Sequence, residues 1–505
     1  MMAALATTVM TLGELLGSAP SDVHGIQITD LVTDSRHVQP GAAFLAVKGA
    51  RTHGLDYLED AVRRGASVVL FEPDRDRREP PATRLEIKGT LAASLAVPDL
   101  GNRLGELAGR FYGLAERGPR LVGVTGTNGK STVAHLVAQA QTLRGYPCAY
   151  MGTVGAGVPP KLTPQELTTP DCLSLHRTLA SFETGYAALE VSSHALAQDR
   201  IAGLQFDTAV FTNLTRDHLD YHGDVAHYQD AKARLFQWEG LRHAVIFVDD
   251  PFGATLVDGL SESIERIDVS LESESRLRGT ITESGLDGIT VQASGVLAGP
   301  RVGSGSVITS PLIGDFNAEN LLLALGVLLS WNAPVKEACE ALSRCEPLPG
   351  RMEVLGGGSR QPTAVIDYAH TPAALERVLR NLRQLASGEI WCVFGCGGER
   401  DTGKRAPMGA VAGRFADHIV LTDDNPRGED PGAIVADIRA AIIDHPDVRI
   451  EHDRARAIQE AVSRAGVGDV VLVAGKGHEV WQWSASERRA FSDRAEVQAA
   501  LGGQA

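Results

Sequence analysis

Residues 123–132 read GVTGTNGKST, directly after the apolar RLVGV and directly before the helix-periodic VAHLVAQAQTL. A strand, a glycine-rich turn and a helix in that order commit this part of the chain to an α/β unit. Val133, Leu136, Val137 and Ala140 fall at i, i+3, i+4 and i+7, the spacing of a buried helix stripe. Gly126 and Gly129 remove the Cβ atoms that would keep backbone N–H groups of the loop, with Thr127 and Asn128 between them, from pointing at one anion. The helix adds its free N-terminal amides, Lys130 a point charge, and Ser131 or Thr132 a hydroxyl for Mg²⁺. The strict G-x-x-x-x-G-K-[ST] pattern wants glycine at 124, where this chain has valine. The competing reading is a turn that merely joins a strand to a helix. The order of features favours nucleotide binding.

The chain has 505 residues, enough for about three domains of roughly 100–200 residues each. Its net charge of −15 argues against nucleic acid or an anionic membrane as the main partner, so an anionic substrate needs local Arg and Lys. Six cysteines without C-x-x-C spacing argue against a zinc site or a disulfide framework. The longest apolar run, NLLLALGVLLSW at 320–331, is too short to span a bilayer and reads as a buried helix. The first residues lack a basic n-region, so no signal peptide is expected. A cytoplasmic, monomeric enzyme acting on small molecules is the expectation.

Three α/β parts are expected: a small N-terminal domain at 1–104, a central ATPase-type domain with a mostly parallel sheet at 105–346, and a Rossmann-like domain at 347–505. The first alternates strands such as AAFLAV with the helical YLEDAVRRG. The second has strands that end in polar residues, Glu190 and Asn213, and a Gly- and Ser-rich segment at 278–310 that reads as an antiparallel excursion. CEPLPGR at 345–351 marks the next boundary. Beyond it TAVIDYAH, EIWCVFGCGGERD, HIVLTDDNPR and DVVLVAGKGHE are each an apolar strand followed at once by charged or glycine residues. Ligands of open parallel sheets sit at such strand ends.

Glu190 reads as a hard-cation ligand or as a helix-capping carboxylate. His218, in the His- and Asp-rich segment 213–236, reads as a metal-shell residue, a general base or a structural histidine.

GTNGKST, EVSSHAL, NLTRDHLDYHG, AKARLF, GDFNAENLLLAL, PGRMEV, DYAHTP and DDNPRGEDP, in that order, resemble the Mur ligases of peptidoglycan synthesis, over nearly the whole chain. The resemblance implies an ATP-dependent amide ligase. ATP would phosphorylate the D-glutamate carboxylate of UDP-N-acetylmuramoyl-L-alanyl-D-glutamate, and the amine of meso-2,6-diaminopimelate would attack the acyl phosphate. It implies catalytic roles for Lys130, Glu190, His218 and Lys232, with Ser131, Glu190, His218 and a carbamylated Lys232 holding Mg²⁺ or its shell. Carbamylation needs an unprotonated amine, so Lys232 is expected where its charge is disfavoured. Asn317, Asn320, Arg351 and Asp367 would complete the ATP site. On the residues alone the two asparagines also read as a helix cap and a helix-surface amide.

By the same resemblance Thr33, Ser35, Ala50, Arg51 and Thr52 would hold the uridine nucleotide, and Thr168, Thr169, Ser192, Gln198 and Arg200 the muramoyl peptide. Leu167 stands where an asparagine is expected. Arg400, Asp424, Asn425, Pro426, Arg427, Gly475 and Glu479 would form the diaminopimelate pocket. Diaminopimelate differs from lysine by a distal carboxylate, which a guanidinium fork grips with two parallel hydrogen bonds, and Arg427 is that fork. A solvated turn arginine is the bland alternative. Two rivals remain open: the same chemistry on L-lysine or another amino acid, as in a folylpolyglutamate-synthase-like ligase, and a nucleotide switch without ligation.

Overall fold

The computed structural model describes residues 9–49, 52–74, 77, 79–80, 85–165, 167–296 and 306–502; the side chains of Ala115 and Asp220 are also set aside. These residues form two compact units. One takes the chain up to Thr125 together with Tyr146–Ala209 and Ala231–Arg242, the other Gly126–Gly145, Val210–Asp230 and the chain from His243 onward.

The first unit begins with a five-stranded sheet in the order Leu31–Val32, Ala43–Ala46, Val68–Phe71, Thr90–Ala96, Leu85–Ile87. All neighbours are parallel except the last pair. Ala43–Ala46 and Val68–Phe71 are buried throughout, the signature of strands covered on both faces. Helix Leu58–Arg63 is the predicted YLEDAVRRG helix. Helix Leu100–Tyr112 runs straight through residue 104, and its Leu107, Ala108 and Phe111 pack into the N-terminal core. Residue 104, the expected boundary, lies within this helix.

The same unit holds strands Arg120–Thr125, Tyr186–Glu190 and Cys148–Gly152, mutually parallel in that order, with Gly155–Val158 and Lys161–Thr163 added antiparallel. Arg177, from helix Cys172–Ala180, ties them to the first sheet by donating to Asp30 and to the Leu31 carbonyl.

In the second unit, His243–Phe247, Glu265–Ser270 and Leu277–Gly285 are parallel, and Gly288–Ser294 and Val307–Ser310 follow antiparallel. The antiparallel excursion predicted within 278–310 is thus formed, although residues 297–305 lie outside the described residues. Helix Phe316–Ser330 is the predicted apolar helix and packs on these strands. Leu321, Leu322, Leu323, Leu325 and Leu328 are fully buried, each contributing about 1.5–3 kcal/mol. Gly326 is required there, since a Cβ would lie 2.8 Å from Val245 Cγ1.

The C-terminal sheet has the order Glu353–Gly356, Thr363–Asp367, Val470–Ala474, Ile390–Phe394, His418–Leu421, Val448–Ile450. Only the first strand is antiparallel. The last strand in the chain of this parallel set, Val470–Ala474, sits between the first two, which is a topological switch point of the kind that opens a crevice at carboxyl ends. The six cysteines are buried free thiols. No helix among the described residues is long and apolar enough to cross a membrane.

Candidate functional site

The phosphate loop of the second unit is held from behind by the segment that follows strand Phe206–Phe211. Asn128 N–H donates to Asn213 Oδ1 at 3.0 Å, while Thr212 Oγ1 and Asn213 Nδ2 donate to the Asn128 carbonyl at 2.6 and 3.2 Å. Thr127 Oγ1 donates to the Thr215 carbonyl and meets the Tyr228 hydroxyl at 3.1 Å. Burial pushes the Tyr228 phenol well above its ordinary range, so it stays a neutral partner. Lys130 Nζ donates to the Gly126 and Thr127 carbonyls at 3.0 and 2.8 Å. Gly126 has φ +142°, and a Cβ there would sit 1.9 Å from Thr212 Oγ1, so no other residue fits. Helix Lys130–Leu143 starts at Gly129, φ +87°, with no side-chain cap. A helix start without a side-chain cap is the kind of place a polyphosphate fits.

Two of the residues predicted to contact ATP, Arg351 and Asn320, reach this loop within the same unit. Arg351 Nη2 lies 3.5 Å from Ser131 Oγ and the Arg351 guanidinium stacks over the Tyr368 ring. Asn317 and Asn320, both buried, are neither cap nor surface amide: Asn317 Nδ2 donates to the Ile313 carbonyl and Asn320 Nδ2 to Asn317 Oδ1. Asn320 Oδ1 is 2.6 Å from where a Cβ on Gly129 would stand, so this amide packs on the loop itself. Asp367 ends its strand buried, its two oxygens accepting from the Met352 and Ala369 amides at 2.9 and 2.8 Å. Burial pushes its carboxyl up, against the lowering pull of Arg351 and those amides. His218 has φ +53°, pairs with Asp217 and lies edge-on to Tyr228.

The residues predicted to hold the amino acid follow three C-terminal strands, Ile390–Phe394, His418–Leu421 and Val470–Ala474. Arg427, φ +52°, donates from Nη1 to the Gly398 carbonyl at 2.7 Å, and its own N–H donates to the Trp483 carbonyl. Neither the solvated-turn reading nor a free guanidinium describes this half-buried, anchored side chain. Pro426 and Gly398 touch so closely that a Cβ on Gly398 would meet the Pro426 carbonyl at 2.0 Å. Gly475, φ +112°, leaves room for Asp424, whose Oδ2 would stand 2.7 Å from a Cβ there. Asn425 Nδ2 donates to Glu479 Oε2 at 2.9 Å. Arg400 is exposed beside this loop.

In the first unit one hydrogen-bonded cluster collects six predicted residues. Glu190, fully buried, accepts from the Tyr150 hydroxyl at 2.5 Å, from the Thr153 amide at 2.8 Å and from Thr153 Oγ1 at 3.1 Å. It caps no helix; that role belongs to Ser192, which accepts from Ala195 N–H. Thr168 Oγ1 meets Thr153 Oγ1, Thr169 Oγ1 donates to the Glu190 carbonyl, and Arg200 donates to the Thr169 carbonyl and to Gln198 Oε1. A carboxylate oriented by three donors matches the outer-shell support that metal-ligating carboxylates have. Leu167 beside this cluster is half exposed. Lys232, on helix Val225–Ala233, is 1% exposed, where an ammonium loses its hydration.

The predicted uridine loop forms a short turn, Ser35–His37, capped by Asp34, with Ser35 buried and Thr33 half-buried. Arg36 beside Asp34 holds that carboxyl down at about 2. The Thr52 carbonyl accepts from Gly49 N–H, but Ala50 and Arg51 lie outside the described residues.

Among the described residues no three His, Cys, Asp or Glu side chains converge so as to hold a metal by themselves. Mg²⁺ usually takes one or two carboxylates plus substrate phosphates, so the donors available suit it only with a nucleotide present. Tyr150, Thr153, Tyr228, Lys476 and Trp483 are the participants that reading the sequence missed. The signal for Tyr150 was register: it pairs with Ala188, two residues before Glu190 on the same face.

Three family profiles match: Mur ligase family, catalytic domain, at residues 27–112; Mur ligase middle domain at 124–328; and Mur ligase, glutamate ligase domain, at 350–477. The chain is 46% identical over 488 residues to the UDP-N-acetylmuramoyl-L-alanyl-D-glutamate–2,6-diaminopimelate ligase of Xanthomonas campestris pv. campestris strain 8004, covering 94% of each chain. It is 44% identical over 499 residues to the protein of the same name from Pseudomonas aeruginosa PAO1, covering 97% of this chain and 98% of that one. A solved structure of that name superposes with a TM-score of 0.69 at 33% identity, covering 98% and 99% of the two chains. The fold is shared with the MurF ligase of Thermotoga maritima in complex with ADP, at TM-score 0.62 and 18% identity, over 94% and 97% of the chains.

Proposed function

The chain belongs to the Mur ligase family, and we propose that it joins 2,6-diaminopimelate to UDP-N-acetylmuramoyl-L-alanyl-D-glutamate with ATP, a cytoplasmic step of cell-wall peptidoglycan synthesis on which cell shape and division depend. The observation that carries the choice of amino acid is the anchored Arg427 beside Glu479 at the C-terminal strand ends.

A D-glutamate carboxylate oxygen attacks the γ-phosphorus of ATP, ADP leaves, and an acyl phosphate forms. The diaminopimelate nitrogen then attacks the acyl carbon, inorganic phosphate leaves with the C–O electron pair, and the nitrogen gives up a proton. Lys130 and the uncapped amides of the loop helix offset the charge that gathers on the transferring phosphoryl group. Thr127 and Asn128, whose N–H groups donate to Asn213, hold the loop backbone in that aim.

Asn317 and Asn320 line the adenine side, and Arg351 and Asp367 the ribose and phosphate side. Ser131, Glu190, His218 and a carbamylated Lys232 would hold Mg²⁺, which would neutralise phosphate charge. Burial of Lys232 supports the carbamate, because it favours the neutral amine that reacts with CO₂.

Thr33, Ser35, Ala50, Arg51 and Thr52 take the uridine nucleotide, in the part ending at Tyr112. Thr168, Thr169, Ser192, Gln198 and Arg200 take the muramoyl peptide. Arg400, Asp424, Asn425, Pro426, Arg427, Gly475 and Glu479 take diaminopimelate. The enzyme acts as a monomer.

The deciding assay offers purified protein ATP, Mg²⁺ and the UDP-dipeptide, with meso-diaminopimelate or L-lysine in parallel. Product with diaminopimelate alone is expected. Product with lysine removes the proposed specificity, and phosphate release that needs neither peptide nor amino acid removes ligation.

A further inference from the structure

The side chain of Lys476 is completely buried directly beneath the proposed amino-acid pocket. Its Nζ donates to Glu479 Oε2 at 2.9 Å and to Asn425 Oδ1 at 3.1 Å. Asn425 is thereby fixed in orientation: Oδ1 accepts from Lys476 and from Trp483 N–H, and Nδ2 donates to Glu479 Oε2. One carboxylate oxygen of Glu479 is thus clamped from two sides, while the side chain stays one-third exposed.

A lysine carried wholly out of water survives only with a close counter-ion and satisfied donors, so this site was built at a cost. Simple stability does not require such a pair, since replacing both partners by apolar residues of similar volume is often neutral. What the cation adds is a carboxylate held in one place, with Oε1 left for a ligand. In diaminopimelate the distal ammonium sits on the same carbon as the distal carboxylate. A pocket that grips the carboxylate with Arg427 needs an anion within one residue's reach of it, and Asn425 physically joins the Arg427 loop to Glu479.

We propose that Lys476 is a positioning residue that clamps Glu479 for the distal ammonium of the incoming amino acid, and so sets the preference for an amino acid with a second amine. This rests on the ligase reading above. Lys476 touches no substrate and acts through Glu479.

The test compares meso-diaminopimelate with L-2-aminopimelate, which keeps both carboxylates and one amine but lacks the second. Steady-state phosphate release is measured for the full chain and for Lys476→Met, with melting temperature as a folding control. Lys476→Met should raise KM for diaminopimelate about tenfold or more while kcat stays within about threefold, and should leave KM for 2-aminopimelate nearly unchanged. Lys476→Gln, which retains an N–H donor without the charge, should recover part of the loss; it carries the same comparison if the methionine variant does not fold. Equal loss with both amino acids would make Lys476 a scaffold residue and overturn the proposal, as would an unchanged KM for diaminopimelate. Failure of the unmodified chain to ligate either amino acid would instead remove the ligase reading, and the proposal with it.

Discussion

The glycine-rich loop and the proposed amino-acid pocket belong to one unit, yet they offer a ligand different atoms. The loop offers backbone: two positive-φ glycines, and a helix start at Gly129 that no side chain caps. The pocket offers side chains, and the helix that follows it, Pro431–Arg439, is closed by Asp430, which accepts from Gly432 and Ala433 N–H. One helix start carries no side-chain cap and the other is capped by its own carboxylate. Backbone amides suit a phosphate, whose shape is the same in every nucleotide. Side chains on a buried charged base suit one amino acid among many.

The largest expected effect falls on the base of the pocket. Arg454 and Asp493 form an ion pair with both side chains fully buried, and Arg454 also donates to the Ala474 carbonyl just before Gly475. Arg454→Met should cost about 3–5 kcal/mol in urea unfolding, because it strands a buried carboxylate. A much smaller loss would mean that the pocket does not rest on this pair.

Next comes the loop. Lys130→Ala should lower kcat about 10²–10³-fold with little change in melting temperature, since the lysine is asked to act on charge developing in the transition state. In the pocket, Arg427→Ala should raise KM for diaminopimelate about tenfold to a hundredfold and narrow its advantage over L-lysine. An unchanged ratio of the two substrates would break the proposed division between the regions.

Asp430→Ala should cost about 1 kcal/mol of stability without altering KM for ATP, as expected of a cap rather than a ligand site. The smallest effect lies at the opposite, amino ends of the C-terminal strands. There His418 bridges Glu389 and Asp447 at 2.8 and 2.7 Å and stacks on Trp391. Burial works against its charged form, but the two carboxylates outweigh it and raise the imidazolium above its ordinary value of 6.5. The resulting stability is full below that value and is lost as pH rises through the raised one. His418→Gln should flatten this slope, by under about 1 kcal/mol, in melts taken across that range.

Contiguous features were legible before any coordinates. GTNGKST announced the loop because strand, glycine pair, lysine and helix period are all local, and the apolar strands of the C-terminal part announced its rim for the same reason. Helix Leu100–Tyr112, which spans residue 104, packs its Leu107, Ala108 and Phe111 into the N-terminal core, a contact that no local pattern specifies. The supports of Glu190 were hidden as well. Tyr150 and Thr153 lie some forty residues away in the chain, brought alongside by parallel register, which hydrophobic pattern alone does not specify between strands buried on both faces.

Lys476 shows the limit most plainly. In the sequence it is one charged residue between two glycines, where the default expectation is a solvated turn. The order of apolar strands and glycine turns, written locally in the chain, determined an α/β architecture with a nucleotide-type loop, and the ordered motifs its likeness to the Mur ligases. Tertiary structure decided which strand ends meet, and hence that this lysine is buried against Glu479 and Asn425, because the energy of a buried charge depends on partners drawn from separate strands.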